Sequence, residues 1–268
     1  MATQRKKIID TVNLLKKQFP AGYKASLSLI IENNYKLSKT FKILKSINLN
    51  NNRKMLLAKC GDKNIIILKG RLHFFDGFSM RDISEIIYVL KYLGINKIIS
   101  VDEAGQLNPR FNCGELALIF DHINFMGDNP LIGENDDELG VRFPDMSNAY
   151  SPELFLKAFN VFQNNKIKIN ESVLLGIIGP ESETEAEARF YRYTGSDILS
   201  YSIVPENITA VHCGIKFLGI GLLSRELIAD KMKDDTTSEK VKNALQQKNL
   251  KKANELLNKI ILPLIKNL

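Results

Sequence analysis

Short apolar runs alternate along this chain with stretches whose apolar residues recur at helical spacing. Residues 25–31, 97–101, 116–120, 173–178, 197–201 and 216–223 read as strands. Residues 55–59 and 64–69 read as a hairpin around Gly61 and Asp62, with residues 48–53 as a hairpin-type loop. Residues 80–93, 151–163 and 184–193 read as helices, with Pro152 suited to a first turn. Another helix begins near residue 205, and the chain ends in a helix that starts near residue 237. Continuous apolar runs suit strands buried on both faces. Their alternation with helices predicts an α/β fold with helices on both faces of a mixed, mainly parallel twisted sheet. No internal repeat and no Pro/Gly/Ser-rich linker divides the chain, so one three-layer α/β/α domain over residues 1–268 is expected.

Composition narrows the function classes. With 44% hydrophobic and 25% charged residues in 268, the chain can bury a large core without staples. No run of about 18 apolar residues exists, so no membrane span is expected. The N-terminal 17 residues are amphipathic and basic and lack the apolar block of a signal peptide, which suits a cytoplasmic protein. Cys60, Cys113 and Cys213 are odd in number and widely spaced, so neither a disulfide framework nor a zinc site is implied. The net charge of +7 concentrates in Lys-rich ends almost without aromatics, which reads as a solvated surface and not a nucleic-acid footprint. Neither a dinucleotide-binding glycine fingerprint nor a phosphate-loop motif is present.

Five polar stretches carry possible chemistry. Residues 179–187, Gly-Pro-Glu-Ser-Glu-Thr-Glu-Ala-Glu, crowd four carboxylates into a turn after a buried strand, where an α/β sheet usually presents its ligand site. Residues 70–77 follow another strand, and alternation puts Arg71 and His73 on one side. That pair reads either as an oxyanion clamp or as a strand-end ion pair beside a half-buried His. Asp102 and Glu103 end a further strand, as acid/base groups or as a solvated turn. Residues 121–150 form a long irregular loop that is either functional or held by its own Asn and Asp side chains. His212, Cys213 and Gly214 close a short helix, as a packed helix end or as ligands.

Taken in order, these stretches resemble the trimeric purine nucleoside phosphorylases from about residue 55 to 230. The family's Gly-Arg-x-His-x-Tyr-Glu-Gly is similar to residues 70–77, and its Asn-Ala-Ala-Gly-Gly-Leu-Asn-Pro to residues 102–109. Its Asp-His-Ile-Asn, Asn-Pro-Leu and Arg-Phe-Pro motifs resemble residues 121–150, and its Gly-Pro-x-Phe-Glu-Thr resembles residues 179–184. Its Met-Ser-x-Val-Pro-Glu and His-Cys-Gly are similar to residues 201–206 and 212–214. The resemblance implies the nucleoside phosphorylase fold and a homotrimer with shared sites. It also implies phosphorolysis of purine (2′-deoxy)ribonucleosides to free base and pentose 1-phosphate, without cofactor or metal and with phosphate as co-substrate. Carried over by position, Arg71, His73 and Ser202 fall in the phosphate site. Phe75, Asp102, Glu103, Phe143, Ser182, Glu183 and Tyr201 fall in the nucleoside site. His73, Glu183 and Arg225 hold catalytic positions, and Phe143 is expected to close a neighbouring subunit's sugar pocket.

The site also departs from the family pattern. The Gly-Ser-Gly-Leu-Gly nest that cradles phosphate is replaced by Glu32, Asn33, Asn34, Tyr35 and Lys36. Asp102 and Glu103 replace an Asn-Ala pair, Arg225 a catalytic Asn, Ser182 a stacking aromatic and Tyr201 a Met. Losing one anion donor costs roughly 3 kcal/mol of transition-state stabilisation. Two outcomes follow: weak or altered phosphorolysis, or an inactive ligand-binding or partner subunit. A third is an enzyme that uses water or another acceptor, with Asp102 or Glu103 as general base. Arg225 is expected to reach into the base pocket and pair with Glu183 or Asp102, because like-charged neighbours there would otherwise be costly.

Overall fold

The computed structural model describes residues 2–232 and 236–268. Helix α1 (Ala2–Lys16) leads to β1 (Leu27–Ile31), β2 (Phe41–Asn48), β3 (Lys54–Cys60) and β4 (Lys63–Lys69). Helix α2 (Met80–Tyr92), β5 (Lys97–Gln106) and β6 (Leu116–Asn124) follow, and a long irregular stretch runs to α3 (Pro152–Asn164). Next come β7 (Asn170–Gly176), α4 (Glu185–Tyr193), β8 (Ile198–Ser200) and α5 (Ile203–His212). Strand β9 (Lys216–Glu226), the short α6 (Ala229–Met232) and α7 (Glu239–Asn267) complete the chain.

All nine strands join one sheet in the order β2-β3-β4-β1-β5-β8-β7-β6-β9. Parallel pairing joins β4, β1, β5 and β9, and also β6, β7 and β8, whereas β2, β3 and the β6–β9 and β5–β8 contacts are antiparallel. The expected mixed α/β sheet is present, but half of it is not open. Strand β9 pairs with β5 as well as β6, so β5, β8, β7, β6 and β9 close into a ring. The long β5 makes this possible: its first residues pair with β1 and its last two, Gly105 and Gln106, with β8. A side chain at Gly105 would meet Leu227 at 2.5 Å and Leu199 at 3.3 Å, so only glycine lets the strands approach there.

Alternation explains the apolar runs. Ile30, Ile66, Leu68 and Ile98 face one core with Ile8, Val12 and Leu15 of α1 and Ile83, Ile87 and Leu90 of α2. Leu29, Ile65, Ile67, Ile99 and Val101 face the other, against Leu154 and Phe162 of α3 and Leu257, Ile261 and Leu264 of α7. Burying one such side chain is worth roughly 1.5–3 kcal/mol, and a one-residue slip would exchange every neighbour between the faces. Strand β2 was not expected. Its residues are exposed except Phe41 and Ile47, as befits a Lys-bearing edge strand that pairs only with β3. Strands β5, β6 and β9 run past their expected ends, so Asp102, Glu103, Asp121 and Arg225 lie on strands and not in loops. Among the described residues, no helix is long and apolar enough to cross a membrane.

Candidate active site

The segments leaving β1, β4, β7 and β8, with the end of β9, deliver polar side chains to one place. Glu32 follows β1, Arg71 and His73 follow β4, Glu183 precedes α4, Tyr201 and Ser202 follow β8, and Arg225 lies on β9. Their contacts form two connected clusters.

The first centres on Arg71, whose side chain is 3% exposed. Its Nε donates to Glu206 at 2.7 Å, Nη1 to Glu32 at 3.1 Å and Nη2 to Ser100 at 2.9 Å. Asp102 lies 3.8 Å from Nη1. Glu206 also accepts from the Ser100 hydroxyl at 2.6 Å, which holds that carboxylate in place. His73 stands 3.5 Å from Glu32 on one ring nitrogen and 3.5 Å from Asp76 on the other. The cluster therefore sets one guanidinium and one imidazole against three buried or half-buried carboxylates.

Protonation follows from this imbalance. Burial pushes Asp102 up; Arg71 opposes it, but Glu32 and Glu206 add to it, and the result is about 6. Burial also pushes Glu32 up, but the bond to His73 and the charge of Arg71 outweigh it and bring Glu32 to about 2. Burial lowers His73, and its bond to Glu32 and the nearby carboxylates more than restore it, so His73 is raised overall.

The second cluster is charge-matched. Arg225 Nη1 donates to Glu183 at 3.1 Å, and Nη2 donates to the Tyr201 hydroxyl at 2.9 Å. The Tyr201 hydroxyl in turn donates to Glu183 at 3.3 Å. Arg225 also lies over the Tyr201 ring, 5.7 Å from its centre. Gly179 makes room for that ring: its φ is +68°, and a side chain there would meet Tyr201 at 2.9 Å. The expected pairing of Arg225 with Glu183 is thus present, and Asp102 turns to Arg71 instead. Phe75 bridges the clusters, stacked on His73 at 4.6 Å and edge-on to Tyr201 at 5.8 Å.

The other expected residues bond to neither cluster. Period-two alternation on β5 separates Glu103 from Asp102. Glu103 accepts from Ser224 and from Gln246 of α7. Ser182 is exposed. Phe143 is 87% exposed and carries Arg142 over its ring. Ser202 is 3% exposed, and its hydroxyl has no partner among the described residues. The four crowded carboxylates divide their tasks: Glu183 meets Arg225, Glu185 meets Arg189, Glu187 caps α4 through Thr184, and Glu181 is exposed.

Glu32, Glu206 and Ser100 are part of the cluster although sequence reasoning assigned them no site role. Glu32 was legible as a misplaced charge and Glu206 as part of the Val-Pro-Glu stretch, but no local pattern marked Ser100.

Comparison with known proteins places the chain in a family. A family model of the phosphorylase superfamily matches residues 27–266. The chain belongs to that superfamily. Purine nucleoside phosphorylase 1 of Bacillus subtilis is 42% identical over 170 residues, which cover 63% of this chain and 63% of that protein. Purine nucleoside phosphorylase 1 of Geobacillus stearothermophilus is 41% identical over 186 residues, covering 66% of this chain and 67% of that one. The match to the first of these thus spans less than two thirds of the relative's length. Among solved structures, Schistosoma mansoni purine nucleoside phosphorylase in complex with inosine superposes with a TM-score of 0.85 at 24% identity, covering 98% of this chain and 96% of that one. Isoform 2 of that enzyme, in complex with cytosine and ribose-1-phosphate, gives 0.79 at 28% identity, with 94% of each chain covered.

Proposed function

We propose that this chain is a purine nucleoside phosphorylase-like protein that carries out weak or altered phosphorolysis of purine (2′-deoxy)ribonucleosides. The carrying observation is that Arg71, His73, Tyr201, Glu183 and Arg225, drawn from distant parts of the chain, converge in two clusters bridged by Phe75. In this reading a phosphate oxygen attacks C1′, the N-glycosidic bond breaks, and its electron pair goes to the purine. Arg71, His73 and the unpaired Ser202 hydroxyl hold the phosphate. Phe75 and Tyr201 wall the sugar. Glu183 and Arg225 face the base, where a guanidinium donating to the leaving purine would strengthen as charge develops on it. Asp102, Glu103 and Ser182 complete the nucleoside site in this reading. Phosphate is the co-substrate, and no cofactor is required. A homotrimer in which Phe143 serves the neighbouring site, and a cytoplasmic location, complete the reading. Incubation with inosine, guanosine and adenosine in phosphate buffer tests it: phosphate-dependent release of free base is expected, and no release above background from folded protein rejects it.

A second reading, an inactive ligand-binding or partner subunit, is favoured by Glu32 and Asp102 lying on Arg71. At an effective dielectric near 20, unit charges about 4 Å apart interact by about 4 kcal/mol. Three carboxylates therefore outweigh what one guanidinium offers an incoming anion. Calorimetry separates the two readings: purine or nucleoside binding without phosphate binding or turnover supports the second.

A further inference from the structure

The anion seat of this fold already contains an anion. Glu32 accepts a hydrogen bond from Arg71 at 3.1 Å and lies 3.5 Å from His73, the guanidinium and imidazole read as holding an oxyanion. This contact is not the chance reach of a floppy side chain. On one side of Glu32, the Ile31 carbonyl accepts from the Gly70 amide at 2.9 Å. On the other, Asn33 donates to the Asn52 carbonyl at 3.1 Å. Tyr35 is buried, and its hydroxyl donates to Asn258 of α7 at 2.9 Å. The Tyr35 amide bonds back to the Glu32 carbonyl at 3.2 Å, closing a turn that aims the residue inward.

Space argues the same way. A cavity lined by Glu32, Asp102, Glu103, Tyr35 and Asn254 holds about 10 Å³, and one beside Arg71 and Glu206 holds about 10 Å³. Neither is lined by His73, and each is near the minimum for a single water, so neither flank of the Arg71–Glu32 contact offers an oxyanion a second place. Meanwhile the Ser202 hydroxyl is buried without a partner among the described residues, a donor that the Glu32 carboxylate does not use. Two of the three groups that would hold phosphate are taken, and one is waiting.

We propose that Glu32 is an intramolecular competitor of the oxyanion co-substrate: its carboxylate fills the seat between Arg71 and His73, and inorganic phosphate binds there only by displacing it. This rests on the reading of Arg71, His73 and Ser202 as a phosphate site. Glu32 is thereby the residue that sets phosphate affinity, and through it the balance between phosphorolysis and nucleoside binding without turnover.

Calorimetric titration of the full chain with inorganic phosphate, without nucleoside, tests the proposal. Three variants are compared with the wild type, each first checked for a cooperative melt. Glu32→Ala empties the seat and is expected to raise phosphate affinity at least about tenfold. Glu32→Gln removes the charge but keeps an acceptor on Arg71, and falls between Glu32→Ala and the wild type. Asp102→Asn changes net charge equally and leaves Glu32 in place, so it gains less than Glu32→Gln. No gain in either Glu32 variant overturns the proposal. So does an equal gain in Asp102→Asn and Glu32→Ala, which would make the effect one of overall charge and not of occupancy. A sulfate-soaked crystal of the wild type with the ion on Arg71 and His73 and Glu32 still bonded to both overturns it as well. Because no nucleoside is present, the result is independent of the turnover assay. A gain in phosphate affinity without base release removes phosphorolysis and leaves the role of Glu32 standing, and base release without a gain does the reverse.

Discussion

Arg71 and Arg225 stand at the two ends of one line of contacts, joined through Glu32, His73, Phe75 and Tyr201. Their company differs. Arg225 faces one carboxylate, Glu183, and shares it with a phenol; the charges cancel and the hydrogen bonds close on themselves. Arg71 faces Glu32, Asp102 and Glu206 at once. A matched buried pair is near neutral for stability, because desolvation and attraction roughly offset one another. A surplus of buried carboxylates is not neutral: burial raises Asp102 first, and Glu32 and Glu206 add to it. The two arginines are therefore held by different physics: Arg225 in a charge-matched pairing, Arg71 in an excess of negative charge.

The most severe way to break this comparison is Arg71→Met. It removes the only guanidinium among three carboxylates, two of which are almost fully buried. Removing one partner of a single buried pair costs about 3–5 kcal/mol. Here more than one anion is orphaned, so loss of about 5 kcal/mol or more, or failure to accumulate as folded protein, is expected. Thermal melting reads this directly, and a fall of under about 3 °C would show that the carboxylates do not depend on Arg71.

Arg225→Ala comes next. Glu183, with its side chain 2% exposed, would lose its cation and keep only the Tyr201 hydroxyl. A loss of about 3 kcal/mol is expected, which for a chain of this size lowers the melting temperature by about 6–12 °C. The matched-pair argument adds a sharper demand: Arg225→Met combined with Glu183→Leu should recover most of that loss, because the orphaned charge goes with its partner. A double variant as unstable as the single one would show that the pair acts through packing and not through charge.

Legibility in the sequence tracks the range of the interactions. The central strands were readable because Ile65 through Leu68 alternate between two cores, which only an apolar run can satisfy. The Arg225–Glu183 pair was readable because the motif resemblance placed a cation and an anion in one small pocket, and burial forbids leaving either alone. Strand β2 was not, since its Lys42 and Lys45 suit an exposed edge and carry no apolar period. Ring closure by β9 on β5 and β6 was equally hidden, because it depends on pairing between strands about a hundred residues apart. For Glu32, the sequence showed only that a carboxylate begins the stretch that replaces the phosphate-cradling nest. That the turn after β1 aims it at Arg71 depends on anchors at Asn52 and Asn258, far along the chain.

Asp102→Asn gives the smallest effect and the opposite sign. The folded protein holds Asp102 at about 6, against an ordinary value of 3.8. Between those values the folded state binds a proton that the unfolded chain has released, so Asp102 makes stability fall as pH rises from about 4 to 6, and the cost is complete above that. Glu32 works the other way: held at about 2 against 4.5, it contributes stability above pH 4.5 that is lost as pH falls toward 2. Asparagine removes only the first term. The variant should therefore be more stable than the wild type by about 1–3 kcal/mol at pH 8, and indistinguishable from it at pH 3.5, where both side chains are neutral. Paired melts across pH 3.5–8 check this, and the difference between the two proteins cancels the contribution of Glu32 common to both. A pH-independent difference would mean that Asp102 is not strained by its neighbours, and the contrast between a crowded Arg71 and a matched Arg225 would lose its electrostatic basis.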